Sequence, residues 1–77
     1  MTLEIISSAE ILFKGEAEAV NLPGVMGSFT VLKDHASLIS VLKKGDIRYT
    51  SSGAEKTISI KGGIADIDKN VISVCVY

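Results

Sequence analysis

Tryptophan is absent from this chain of 77 residues, and cysteine, proline and histidine occur once each, as Cys75, Pro23 and His35. A single cysteine excludes an internal disulfide and a multi-cysteine structural zinc site, and it suits a reducing compartment. With one imidazole, a metal centre would have to be built from carboxylates. Asp66 and Asp68 alternate on one predicted strand face with no third partner, and they read as a solvated face. Charge of one sign is also lacking: eight Lys and Arg stand against nine Asp and Glu, for a net charge of −1. No basic footprint for nucleic acid is present, and lysines adjoin only at Lys43-Lys44. Aromatic residues are few (Phe13, Phe29, Tyr49 and Tyr77), too few to line a carbohydrate groove. The apolar stretch Leu38 to Leu42 is interrupted by Ser40 and falls far short of the ~20 residues of a spanning helix. Met1-Thr-Leu-Glu lacks the basic and apolar regions of a secretion signal, so none is expected. No Gly-x-x-x-x-Gly-Lys-Ser/Thr occurs, which excludes nucleotide binding through a P-loop.

What is present is apolar. Hydrophobic residues make up 47% of the chain, and the mean hydropathy is +0.38. The length supports one domain, residues 1–77. A domain of this size buries only ~60–65% of the surface that its unfolded chain exposes. Apolar surface should therefore remain outside, open to a partner.

The pattern is that of short strands with frequent turns. From Lys56 to Lys61, Ile58 and Ile60 face one side and Thr57, Ser59 and Lys61 the other. Ile72, Val74 and Val76 form a second stripe. Ile47 and Tyr49 flank an outward Arg48, Leu3 and Ile5 begin the first strand, and Glu16 and Glu18 oppose Ala17 and Ala19. Pro23-Gly24 reads as a turn. Ser51-Ser-Gly53 and Asp68-Lys-Asn70 read as hairpin loops, and Gly62-Gly63 as a strand break or bulge. Ala36 to Lys44 is ambiguous: Leu38, Val41 and Leu42 have helical spacing with Asp34 as a possible cap, while Gly45 and the short length allow a buried strand. The whole predicts an all-β fold, a sandwich or flattened barrel with no long helix.

His35 is the most tempting catalytic side chain, with Asp34 beside it and Cys75 as a conceivable nucleophile. No oxyanion element accompanies them, so the constellation is incomplete. A structural or interface role fits His35 better, and Cys75 reads as a small strand residue, buried or at an interface.

One run is more specific than composition. Gly27-Ser-Phe29-Thr-Val31, His35-Ala36, Leu38-Ile39 and Leu42-Lys-Lys-Gly45-Asp-Ile47-Arg48, followed by Gly62-Gly63 and Asn70-x-Ile-x-Val74, resemble the amino-terminal domain of the ATP synthase epsilon subunit family over nearly the whole chain. The resemblance implies a ten-stranded antiparallel β-sandwich, and it implies a strand rather than a helix at Ala36 to Lys44. It implies a non-catalytic rotor subunit without cofactor or metal. Its partners would be the gamma shaft and the ring of c subunits, with no nucleic acid. It would be peripheral at the cytoplasmic face of a bacterial plasma membrane, reaching the membrane only through the complex. The ring contact would be carried by Gly24, Met26, Gly27, Ser28 and His35. This chain departs from the pattern in having Met26 and Ser28 where many relatives carry acidic residues, and Lys33-Asp34 where Pro-Gly is common. The family usually continues into a pair of helices, whereas this chain stops at Val76-Tyr77. Either the natural protein is a short form without the C-terminal helical hairpin or this is a trimmed piece of a longer one, and the helices' roles are not carried over. The alternatives are a generic β-sandwich binding module and a small hydrolase using His35.

Overall fold

Alternation of burial along the chain follows the alternation of residue type. In the segment 63–68, Ala65 and Ile67 are buried while Ile64, Asp66 and Asp68 face outward. A pleated strand imposes this period of two. The computed structural model describes residues 1–77 and contains nine strands and no helix. They are β1 (Thr2–Ile6), β2 (Ile11–Glu16), β3 (Ala19–Gly24), β4 (Gly27–Leu32), β5 (Leu38–Leu42), β6 (Gly45–Ser51), β7 (Ala54–Ile60), β8 (Gly63–Asp68) and β9 (Val71–Val76). This is the all-β fold expected, with nine strands where the resemblance implies ten. One pairing is parallel, β1 beside β9, in an otherwise antiparallel set. Ala36 to Lys44 resolves into strand β5, and Asp34 caps no helix.

The hydrogen-bonded order is β2-β1-β9-β8-β5-β3-β6-β7, with β4 on the other edge of β3. The sheet curls back on itself at β3. Ala19–Asn21 pair with β6, but Gly24 pairs with Leu42 of β5. The corner is closed by Val25 N–H donating to the Val41 carbonyl at 2.9 Å and Lys43 N–H donating to the Pro23 carbonyl at 2.9 Å. Pro23 suits this place. The N–H and C=O of a strand residue point to one edge, so its missing donor would have faced the gap where β3 leaves β6 for β5.

The curl makes two layers, β2-β1-β9-β8-β5 and β4-β3-β6-β7. Their inward side chains form one cluster of 15 buried residues, with Leu3, Ile5, Ile67, Ile72 and Val74 from the first layer and Val20, Leu22, Val31 and Ile47 from the second. Phe13 of β2 reaches Tyr49 of β6 across the layers, with ring centroids 4.5 Å apart. No buried side-chain polar atom lacks a hydrogen-bond partner.

The predicted loops at Ser51–Gly53 and Asp68–Asn70 are tight hairpins. Ser52-Gly53 take φ 53° and 77°, and Lys69-Asn70 take 49° and 62°. Positive φ at both loop positions matches the twist of the flanking strands. The Pro23-Gly24 turn lies two residues later than expected. Pro23 and Gly24 are the last residues of β3, and Val25-Met26 make the loop, with Gly24 opposite Gly27. Gly27 takes φ +129°, so it, rather than Gly24, absorbs the reversal.

Candidate functional site

The β3–β4 hairpin stands at one end of the sandwich, against β5. Between them lies a mainly apolar groove of about 560 Å³, lined by Val25, Met26, Phe29, Leu38, Ile39 and Val41 together with two glycines and two serines. No lining residue is titratable. Met26 is 97% exposed and Ile39 is 70% exposed, which is unusual for apolar side chains so close together. A Cβ on Gly24 would come within 2.7 Å of the Gly27 carbonyl and 3.0 Å of the Phe29 ring. The glycine is what lets the hairpin fold tightly over Phe29.

The groove opens onto the outer face of the first layer. Residues in register share a face, and one row across this face reads Val41 (β5), Ile64 (β8), Cys75 (β9), Ile6 (β1) and, across a bulge, Ile11 (β2). Val41, Ile64, Cys75 and Ile11 are exposed. The corresponding row on the second layer reads Thr30 (β4), Asn21 (β3), Arg48 (β6) and Thr57 (β7), all polar. Asn21 is tied into it. Its Nδ2 donates to Thr30 Oγ1 at 3.0 Å, and Ser28 Oγ donates to its Oδ1 at 3.1 Å. The first layer thus carries one apolar row where the second carries a polar one; the next row on the first layer, Ile39, Asp66, Ser73, Glu4 and Lys14, is largely polar. The sequence predicts the surplus apolar surface. It does not say where that surface lies, because Ile39, Val41 and Ile64 read as core in strands whose neighbours are apolar too.

The end opposite the hairpin is polar. There the β4–β5 loop is clasped to the β8–β9 turn. Asp34, at φ 64°, donates its N–H to Asn70 Oδ1 at 2.7 Å, and Asn70 Nδ2 donates to Asp34 Oδ1 at 3.1 Å. Ser37 Oγ donates to Asp68 Oδ1 at 2.7 Å. His35 sits in this loop, half-buried, with Nδ1 2.7 Å from the Ala36 carbonyl. The Nδ1–H is the donor in that contact, since a carbonyl only accepts.

Of the five residues expected to share one contact, the structure brings together Gly24, Met26, Gly27 and Ser28 at the hairpin. It does not bring His35 to them. His35 follows the far end of β4, six residues and about 20 Å of strand away. Cys75 does not meet His35 either. It pairs with Ile64, next to the start of β8, whereas the loop of His35 enters β5 opposite Ile67. The Cys-His pairing is therefore not formed. Cys75, expected buried or at an interface, is exposed in this chain. Arg48, Asp66 and Asp68 face outward as expected. No three His, Cys, Asp or Glu side chains converge, and no helix is long and apolar enough to cross a membrane.

Comparison with known proteins bears on what uses this surface. The family described as ATP synthase, Delta/Epsilon chain, beta-sandwich domain, matches residues 1–77. The ATP synthase epsilon chain of Rhodopseudomonas palustris (strain BisB5) is 34% identical over 71 residues, which is 92% of this chain and 53% of that one. The ATP synthase epsilon chain of Chlorobaculum tepidum is 40% identical over 70 residues, covering 90% of this chain and 80% of that one. The chain thus spans about half the length of several of the curated relatives it matches. Among solved structures, a chain of the Euglena gracilis mitochondrial ATP synthase (OSCP/F1/c-ring) shares the fold with a TM-score of 0.89 at 22% identity, covering 96% of this chain and 48% of that one. A chain of the Tetrahymena thermophila mitochondrial ATP synthase (central stalk/c-ring) does so at 0.83 and 10% identity, covering 97% and 61%.

Proposed function

This chain belongs to the delta/epsilon chain family of ATP synthases as its β-sandwich domain, and from that premise we propose that it is a non-catalytic subunit of the central stalk. In this reading it joins the gamma shaft to the ring of c subunits, so that rotation driven by proton flow is transmitted to the catalytic head. Its place is peripheral, at the cytoplasmic face of a bacterial membrane, held there by the complex.

The observation that carries the reading is the contrast between corresponding rows on the two outer faces. Val41, Ile64 and Cys75 form an exposed apolar row on one layer, while the other layer presents Thr30, Asn21, Arg48 and Thr57. A domain that docks by one face is built this way, with an apolar centre and a polar remainder. We assign the apolar row to gamma. A stable contact needs about 800 Å² per partner. The ring contact then falls to the hairpin end, through Gly24, Met26, Gly27 and Ser28. His35 stands away from that contact, at the other end of β4. Two solved structures that share this fold, from Euglena gracilis and Tetrahymena thermophila, are ATP synthases described together with their c-ring, which fits the assignment.

Close packing suits the task, because a dense two-layer core resists deformation under load. Calorimetric titration of the chain into gamma purified from the same source tests the reading. One-to-one binding with a negative heat-capacity change is expected for docking by apolar burial. Absence of binding at high concentration would remove the stalk function and leave the fold untouched.

A further inference from the structure

Three strands, β2, β7 and β4, are paired on one side only. A free edge invites another chain to pair with it, and charges, prolines and bulges deter that. β2 carries Lys14, and its register against β1 shifts at Ile5/Ile6. β7 carries Glu55 and Lys56, and Lys56 shares the core-facing side of Ile58 and Ile60 yet stays exposed. β4 reads Gly27-Ser-Phe-Thr-Val-Leu32, with no charge, no proline and an unbroken register against β3. Its outward backbone groups can be identified. Lys43 N–H reaches the Pro23 carbonyl, so Pro23 faces away from β4, and its neighbours Leu22 and Gly24 face toward it. Their partners Phe29 and Gly27 face back. Ser28, Thr30 and Leu32 therefore turn their N–H and C=O groups to the open edge, and their side chains are exposed too. The Leu32 carbonyl accepts the His35 N–H at 3.1 Å and keeps a second lone pair.

We infer that β4 pairs edge to edge with β4 of a second copy of this chain, antiparallel and centred on Thr30. The occupant is a second copy because this edge is complementary to itself. In that register all three outward residues of each copy are engaged: Thr30 faces Thr30, and by the two-fold symmetry Ser28 faces Leu32 twice. Phe29 then lies across from Val31. Thr–Thr and aromatic–β-branched pairs are favourable, and no like charges face each other in the ladder. Moving the centre by one residue shortens the ladder. It sets Leu32 against Met26 of the hairpin loop, or Ser28 against Asp34 of the β4–β5 loop. The pairing joins the β4-β3-β6-β7 layers of two copies into one continuous sheet. A ladder from Ser28 to Leu32 is smaller than the ~800 Å² per partner of a stable complex, so the pair is reversible and forms as concentration rises. The inference concerns the chain on its own and stands apart from the rotor reading.

The test is sedimentation velocity of the isolated chain over a rising concentration series, with cysteine cross-linking to read the register. The native chain should pass from monomer to dimer. Thr30→Lys opposes two ammonium groups at the symmetry axis, and Thr30→Pro removes an outward N–H while leaving the ladder with β3 intact. Each should raise the dissociation constant about tenfold or more, and thermal midpoints verify that both fold. For cross-linking, single cysteines are placed in a Cys75→Ser background under mild oxidation. Thr30→Cys should link two copies, because Cα atoms about 5.5 Å apart in a hydrogen-bonded pair suit a disulfide. Ser28→Cys should not, since the two copies of that residue would lie about 13 Å apart along the strands. Thr57→Cys on β7 should not either. A native chain that stays monomeric throughout overturns the inference, as does a dimer that is indifferent to both Thr30 variants. Linking of Ser28→Cys or Thr57→Cys as fast as Thr30→Cys overturns it too. A monomeric chain whose binding to gamma is lost with Thr30→Pro would give the edge to a strand of gamma, and the second copy would be wrong.

Discussion

At the scale of single residues, two kinds of glycine are distinguishable by what a methyl group would meet. A Cβ on Gly63 would run into the Cys75 carbonyl and the Val76 backbone, whereas one on Gly27 would meet nothing within 4 Å. Gly63→Ala should therefore force β8 off β9 and cost about 2–4 kcal/mol in urea denaturation. Gly27→Ala should cost only the strain of its φ of +129°, about 1–2 kcal/mol. Equal losses would mean that the close approach of β8 to β9 is not rigid. Tyr49 supplies a second residue-level test. Burial against Phe13 pushes its phenol up from the ordinary value of 10.0. The unfolded chain then loses this proton at lower pH than the folded one. The contribution to stability is complete below pH 10 and is lost as pH rises through the folded value. The urea midpoint of the native chain should accordingly fall more steeply above about pH 10 than that of Tyr49→Phe.

At the scale of elements, the clasp between the β4–β5 loop and the β8–β9 turn depends on Asn70, which satisfies Asp34 with two hydrogen bonds while holding φ 62°. Asn70→Gly keeps the backbone conformation and loses the bonds, at about 1–2 kcal/mol. Asn70→Ala adds about 1 kcal/mol more for the left-handed backbone. Thermal unfolding of the pair separates the two contributions. Elements of this kind were legible in the sequence to different degrees. Ile58 and Ile60, or Ile72, Val74 and Val76, alternate with polar residues and announce their strands, and Ser-Gly and Lys-Asn announce tight loops. Ala36 to Lys44 does not, because Leu38, Ile39, Val41 and Leu42 are apolar at both parities; only the family resemblance pointed to a strand. The hairpin tip moved from Pro23-Gly24 to Val25-Met26 because Gly24 is consumed in joining β3 to β5, a long-range pairing with no local signal. The separation of His35 from the hairpin is of the same origin. Their nearness in sequence is an entire strand's length in space.

At the scale of the whole molecule, one layer carries an exposed apolar row and the other a polar one, and binding to gamma should depend on the first. Val41→Asp or Ile64→Asp replaces an exposed apolar side chain, so stability should change by about 1 kcal/mol or less. Affinity for gamma should fall about a hundredfold if these residues lie at the centre of the contact. Arg48→Ala in the polar row should leave that affinity unaltered. An apolar dye should bind the native chain and lose fluorescence with Ile64→Asp. One more property follows from the parallel pairing of β1 with β9. β1 lies between β2 and β9, so its inner edge stays open until β9, some 65 residues later, has been synthesised. Non-local closure of this sort is slow. A nascent copy therefore carries Leu3 and Ile5 on an unpaired edge until Val71–Val76 has been synthesised, a window in which that edge is open to pairing with another chain.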